Sequence, residues 1–145
     1  MGAGGILLRR ITIEDFEHLC CLQKAYKQEI GEDLPSQEDL ERLRAAIEKE
    51  EILFFGHEVN GQLVACCSVS RVFSTFLYEA AGVFEDFYIL PQHRHQGIAR
   101  KLVKYAYYNS NISSLTVGCA DCDLEMYQAI GFRIPLGNML AFDDT

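Results

Sequence analysis

The sequence predicts an α/β domain in which a mixed sheet carries helices on both faces, and three features predict it. Two capping-box signatures, Thr12-Ile-Glu-Asp15 and Ser36-Gln-Glu-Asp39, mark early helix entrances. Asn60-Gly61 separates two apolar runs, and both residues tolerate the positive φ of a tight hairpin turn. The run after that turn is apolar on both sides: Leu63, Ala65, Cys67 and Val69 alternate with Val64, Cys66 and Ser68. A strand of that kind has both faces covered, so helices must pack on it.

Taken in order, Ile6 to Ile11 is a short apolar start interrupted by Arg9 and Arg10. Phe16, Leu19, Gln23, Tyr26 and Ile30 then recur at helical spacing, Gly31 stops that helix, and Leu34-Pro35 breaks the chain. Leu40, Leu43 and Ile47, with charges between them, describe a short amphipathic helix reaching about Glu50. Ile52 to Val59 and Gln62 to Val72 are the arms of the hairpin. Phe73 to Ala81 reads as a less regular connection. Val83 to Leu90 is a strand stopped by Pro91, and Gly97 to about Tyr108 is a helix, apolar along Ile98, Leu102, Val103 and Ala106 and basic along Arg100, Lys101 and Lys104. Ser114 to Val117 is a strand, Asp121 to Ile130 a last helix capped by Gly131 in the left-handed conformation, and Phe132 onward is expected to return to strand.

No repeat or linker divides the chain, and its 145 residues are expected to form a single domain, 1–145, able to bury a core without disulfides or metal. The net charge of −8, with only 13 Lys and Arg, argues against nucleic acid and mildly for a cationic partner. Cys20-Cys21, Cys66-Cys67, Cys119 and Cys122 read as reduced thiols, and with no secretory pattern at the start the expected compartment is cytoplasmic. Cys119-Ala-Asp-Cys122 lacks the second ligand pair of a zinc site, and no carboxylate or cysteine near His93 and His95 completes a metal set, so no metal is expected. No apolar run approaches the roughly 20 residues that span a bilayer, so the protein is expected to be soluble with no membrane partner.

The chemistry concentrates in Glu85-Asp-Phe-Tyr-Ile-Leu-Pro-Gln-His-Arg-His-Gln-Gly-Ile-Ala-Arg100, a strand running through a polar loop into a helix. Glycine at the helix start leaves the free N–H groups of the first turn open to a ligand, and the helix dipole adds positive charge there. Such a place suits a pyrophosphate. Arg94, Gly97 and Ala99, after a strand and Pro91 and before a basic-faced helix, resemble motif A of the GCN5-related N-acetyltransferase (GNAT) superfamily, Gln/Arg-x-x-Gly-x-Gly/Ala. Tyr127-Gln-Ala-Ile-Gly-Phe132 resembles that family's later Tyr-x-x-x-Gly-Phe, and the element order resembles its fold over essentially the whole chain.

The resemblance implies a mostly antiparallel twisted sheet, mixed in direction, with two parallel strands splayed apart where acetyl-CoA binds. It implies that main-chain groups of His95, Gln96, Gly97, Ile98, Ala99 and Arg100, behind Arg94, hold the CoA pyrophosphate, and that main-chain groups of Phe87, Tyr88 and Ile89 pair with pantetheine. Tyr127 matches a tyrosine that protonates the departing thiolate, a task suited to a phenol that keeps its proton at pH 7; packing of the last helix is its other reading. Glu85-Asp86 resembles the pair in polyamine acetyltransferases whose glutamate is a proposed base; Glu85 is equally readable as a solvated strand-end charge. One departure is Ala120, where many members carry an asparagine. The function implied is acetyl transfer from acetyl-CoA to the amine of a small, cationic molecule by direct attack in a ternary complex, with a main-chain amide near Tyr88 polarising the carbonyl. The acceptor is expected where the Glu29 to Asp33 loop and the Phe73 to Glu79 connection meet the Glu85 strand. A peptide or protein amine, and a non-catalytic acyl-CoA sensor, are the rival readings, and a homodimer remains open as the assembly.

Overall fold

The computed structural model describes residues 6–145. Its elements are β1 (Ile6–Ile11), α1 (Phe16–Glu29), α2 (Gln37–Glu48), β2 (Ile52–Val59), β3 (Gln62–Ser74), β4 (Glu79–Ile89), α3 (Ile98–Asn109), β5 (Leu115–Val117) and α4 (Leu124–Ala129). Both capping boxes form. The Asp39 carboxylate accepts the Ser36 N–H at 2.8 Å while Ser36 Oγ accepts the Asp39 N–H at 3.0 Å, and Asp15 accepts the Thr12 N–H at 2.9 Å. Asp15 also takes two hydrogen bonds from Arg9, which hold its carboxyl down at about 2. That pairing ties the start of α1 to β1.

The five strands lie in sequence order, with β1 to β4 antiparallel and β5 parallel to β4. Asn60 and Gly61 turn the β2–β3 hairpin at φ 51° and 80°. The two-sided apolar pattern of β3 is realised as two cores. On one face Leu53, Phe55, Ala65, Cys67, Val69 and Phe84 meet α3 through Ile98, Leu102, Val103 and Ala106. On the other, Phe54, Cys66 and Tyr88 meet Leu19 and Leu22 of α1 and Ile47 of α2. Phe54, Phe55 and Phe84 are at most 1% exposed, and each contributes on the order of 1.5–3 kcal/mol by leaving water.

The structure corrects the expected pattern in four places. Leu63 joins the α1 side rather than lining up with Ala65, because Val64 is an extra residue between the pairs His57↔Ala65 and Glu58↔Leu63. The supposed irregular connection is mostly strand, since β3 and β4 stay paired out to Ser74↔Glu79; its side chains are exposed and therefore show no apolar alternation. The last helix opens with a 3-10 turn at Asp121–Asp123, and Gly131 sits at φ 127°, beyond the left-handed helical region. Residues 132–145 form no strand. Pro135 brings no donor, Gly137 at φ 103° bends the path, and β5 offers a three-residue edge on which to build. Phe132 nevertheless packs against Phe84, centroids 5.3 Å apart.

One topological feature positions the site. β4 pairs with β5 only at Gly82↔Leu115, Val83↔Thr116 and Phe84↔Val117. From Glu85 to Ile89, β4 runs on with no strand beside it on that side among the described residues.

Candidate active site

The loop between β4 and α3 is fixed by Arg94. Its Nε donates to the Ile89 carbonyl at 2.8 Å, one terminal nitrogen donates to both carboxylate oxygens of Glu29 at 2.7 and 2.9 Å, and the guanidinium lies 5.5 Å from the Tyr88 ring centroid. The motif arginine thus clamps the loop to β4 and to the end of α1. Beyond it His95 takes φ 63° and Gly97 takes φ 79°, ψ 8°, so α3 starts from two left-handed residues. A Cβ built on Gly97 would meet nothing within 4 Å, so the first turn of α3 faces open space. Free amides at a helix start, unobstructed and turned to one side, fit a pyrophosphate.

Along β4 the residues expected to meet pantetheine stand on the unpaired stretch. Tyr88 is buried beneath Tyr26, ring centroids 6.0 Å apart, and Phe87 packs on Phe84 at 5.8 Å. Their side chains are occupied by the cores, which leaves the main chain to face the gap.

The two adjacent carboxylates of β4 have different surroundings. The register passes from Ser68↔Glu85 to Cys66↔Tyr88, so Asp86 and Phe87 together oppose Cys67 in a bulge. Asp86 there has φ 51°, and Glu85 is left exposed. Asp86 is partly buried; Ser68 Oγ donates to its carboxylate at 3.5 Å and the Cys66 thiol to its carbonyl at 3.9 Å. Burial, reinforced by the Glu85 charge, pushes the Asp86 carboxyl up. Tyr127, on α4 and edge-on to Phe132 at 6.0 Å, is pushed up to about 12, chiefly by burial and then by Tyr26, Asp123, Cys119 and Asp86. Tyr26 is raised by burial and next by Asp86. The Asp86 carboxylate on β4 therefore lies near enough to the Tyr26 phenol of α1 and the Tyr127 phenol of α4 to raise both.

Sequence reasoning weighted Glu85 over Asp86 and read Tyr26 only as a core position. The available signal is the succession of two polar residues, Glu85-Asp86, which breaks the alternation of a strand as a bulge does. The acidic α1 loop is also less free than its composition implies, because Glu29 pairs with Arg94 and Glu32 with Lys27 at 3.0 Å. The β3–β4 turn lies beyond Glu79, about 20 Å along the strand from Glu85, and does not meet the α1 loop there. Asp123, whose N–H donates to the Ala120 carbonyl, adds its charge to that of Asp86 in raising Tyr127.

A family model described as an acetyltransferase (GNAT) domain matches residues 49–134, more than half of the chain and all of the site except Tyr26 and Glu29. The chain belongs to the GNAT acetyltransferase family. Solved structures agree on the fold. A possible acetyltransferase from Clostridium difficile 630 superposes with a TM-score of 0.83 at 14% identity, covering 97% of this chain and 98% of that one. An aminoglycoside acetyltransferase from an uncultured soil metagenomic sample, in complex with sisomicin, gives 0.80 at 14% identity over 97% and 95%. A predicted acetyltransferase from Clostridium acetobutylicum, with acetyl-CoA, gives 0.74 at 18% identity over 96% of each chain. No curated protein sequence matches the chain.

As a GNAT acetyltransferase the protein belongs to enzymes that draw on acetyl-CoA. Two open cavities flank its site. One, of about 480 Å³, is lined by Arg100, Glu125, Gln128, Ala129 and Arg133; the other, of about 460 Å³, lies between α1 and the β2–β3 hairpin at Leu22, Leu63 and Leu90. Neither is lined by Asp86 or Tyr127. Among the described residues no helix is long and apolar enough to cross a membrane, and no three His, Cys, Asp or Glu side chains cluster as metal ligands.

Proposed function

We propose that the protein, acting as one catalytic domain over residues 1–145, moves the acetyl group of acetyl-CoA to the primary amine of a small cationic molecule while both substrates are bound. The observation that carries this reading is the shared neighbourhood of Asp86, Tyr26 and Tyr127 at the open stretch of β4, next to the anion-ready start of α3. Acetyl-CoA supplies the activated acyl group as a thioester. Main-chain amides from His95 to Arg100 hold its pyrophosphate, and main-chain groups of Phe87, Tyr88 and Ile89 align its arm. A β4 amide near Tyr88 donates to the acetyl carbonyl, where negative charge develops.

The amine arrives as ammonium and must lose a proton before it attacks. Glu85 is the base implied by the family resemblance, and a water molecule could relay the proton to it. Asp86 is favoured by its burial, which raises its affinity for a proton and brings it nearer the working pH. Its carboxylate and the faces of two phenols also suit an ammonium ion. Tyr127 donates to the departing sulfur. Burial that raises the phenol raises a thiolate formed in the same gap, so donor and acceptor stay matched.

An acceptor screen tests this reading through thiol release from acetyl-CoA, with linear polyamines, aminoglycosides and short peptides compared across ionic strength. Turnover greatest with small polycations, and KM rising with salt, is the expected result. Turnover confined to peptide N-termini or neutral amines and indifferent to salt would reject the small-cation assignment, while tight acetyl-CoA binding without turnover of any amine would favour a sensor.

A further inference from the structure

Ten of the sixteen large apolar side chains left exposed among the described residues fall in two short runs, five in each. The first is the tip of the β3–β4 hairpin, where Val72, Phe73, Phe76, Leu77 and Tyr78 are between 50% and 97% exposed. The second is the stretch after α4, where Ile134, Leu136, Met139, Leu140 and Phe142 are between 76% and 91% exposed. Neither run holds a charge: residues 72–78 and 134–142 are free of Asp, Glu, Lys and Arg in a chain that is 23% charged. Single exposed apolar side chains are ordinary, whereas clusters of this size mark places that another surface covers. Within one molecule the two runs do not cover each other. Phe132 packs on Phe84 and Met139 lies against Gly118 just past β5, whereas the hairpin pair Ser74↔Glu79 stands about 17 Å along β4 from Phe84.

We propose that a second copy of this chain covers both runs, the hairpin tip of each protomer seating on residues 134–142 of the other. A twofold dimer brings one patch onto the other and the reverse, so a single symmetric contact covers two separate patches at once. The area suffices. The rings of Phe73, Phe76, Tyr78 and Phe142 carry on the order of 150–250 Å² each, so with the aliphatic side chains beside them the two runs offer on the order of 1,000 Å² per copy, above the roughly 800 Å² per partner of a stable interface. Charge points the same way. Two copies that each carry −8 repel except where their surfaces are neutral, and the core of an interface is depleted of charge as these runs are. A bilayer surface fits less well, because an apolar tip that enters headgroups is bordered by Lys and Arg, whereas this tip has Arg71 on one side and Glu79 on the other in an acidic chain. The contact also falls next to the site: the receiving stretch follows Phe132, which packs against both Phe84 and Tyr127, so the partner's hairpin lies beside the gap past the β4–β5 pairing.

Sedimentation velocity on the full chain over a dilution series reads the assembly directly. The unmodified protein is expected to sediment as a dimer that dissociates on dilution, and Phe76→Asp and Phe142→Asp are each expected to raise the dissociation constant about 30-fold or more, the loss typical of an aromatic anchor. Both side chains stand in solvent in the single chain, so neither change costs the fold, which far-UV circular dichroism checks. Tyr108→Asp, at another exposed ring on α3, should leave the dimer intact. A benzophenone side chain placed at Phe76 should crosslink on illumination to residues 134–142 of the other copy. A monomer at every concentration, a dimer that survives both Asp variants, or crosslinks confined to other surfaces would overturn the proposal. So would a monomer that binds phosphatidylcholine vesicles through Phe76, which would give the patch to a bilayer. The acetyl-transfer reading stands under each of these outcomes, since no step of it uses the partner.

Discussion

The proposed cofactor arm and the proposed acceptor cleft meet along β4 but are made of different materials. The arm is main chain: free amides at the start of α3, two left-handed residues before them, and an unpaired strand edge. Its motif side chain, Arg94, is spent on Glu29 and the Ile89 carbonyl, holding the loop in shape. The proposed cleft is side chain: Asp86 turned by a bulge, Tyr26 from α1 and Tyr127 from α4, each raised chiefly by burial, with the Asp86 charge adding to the shift of both phenols. Main-chain sites depend on a few backbone angles and tolerate change in most side chains. Side-chain sites depend on packing between elements far apart in sequence, and they can be retuned for a new acceptor without disturbing the cofactor.

The largest effect that sharpens this contrast is expected at the arm. Gly97→Glu adds a negative charge beside the pyrophosphate and a side chain at φ 79°, and calorimetry should register no acetyl-CoA binding. Because open space surrounds a Cβ there, Gly97→Ala brings only the backbone strain and should weaken binding more mildly. Full affinity in Gly97→Glu would mean that the arm lies elsewhere.

Next in size is the cleft's acid. Tyr127→Phe should lower kcat about 100-fold and leave acetyl-CoA affinity within a few-fold, the separation expected if the hydroxyl serves chemistry rather than the arm. Unchanged turnover across pH in stopped-flow thiol detection would assign Tyr127 to packing against Phe132.

The smallest effect separates the two neighbouring carboxylates. Asp86→Asn should lower kcat/KM about tenfold and move the acid limb of the pH profile upward, since the amine must then shed its proton unaided; Glu85→Gln should change little. The stability of the free protein carries an opposite sign. A carboxyl raised above its unfolded value of 3.8 opposes folding once it ionises, so this cost is absent below about pH 3.8 and fully present above the folded value. Asp86→Asn should therefore melt higher than the unmodified protein at pH 7, with the gain shrinking as pH falls, as happens when a group kept for activity is removed. A lower melting temperature at pH 7 would place Asp86 among structural residues.

The same contrast explains how much was legible beforehand. Capping boxes, the Asn60-Gly61 turn and the Gly97 helix start are local chemistry, and each formed where the sequence located it. The parallel pairing of β5 and the gap beyond Phe84 followed from the family resemblance rather than from any local pattern. What stayed hidden depends on contacts between distant elements: the bulge that exposes Glu85 and turns Asp86, the neutralisation of Glu29 by Arg94 across 65 positions, and the failure of residues after Phe132 to find a partner strand. Local rules carry no information about those partners.

Acetyl-CoA, on the proposed reading, is held by main chain at the start of α3 and along the free stretch of β4. Amide chemical-shift mapping during an acetyl-CoA titration examines it residue by residue. The largest changes are expected on the amides of His95 to Arg100 and of Phe87 to Ile89, with Tyr127 and Asp86 following. Saturable binding whose shifts cluster instead around Leu22, Leu63 and the β2–β3 hairpin, with the amides from His95 to Arg100 unmoved, would contradict it.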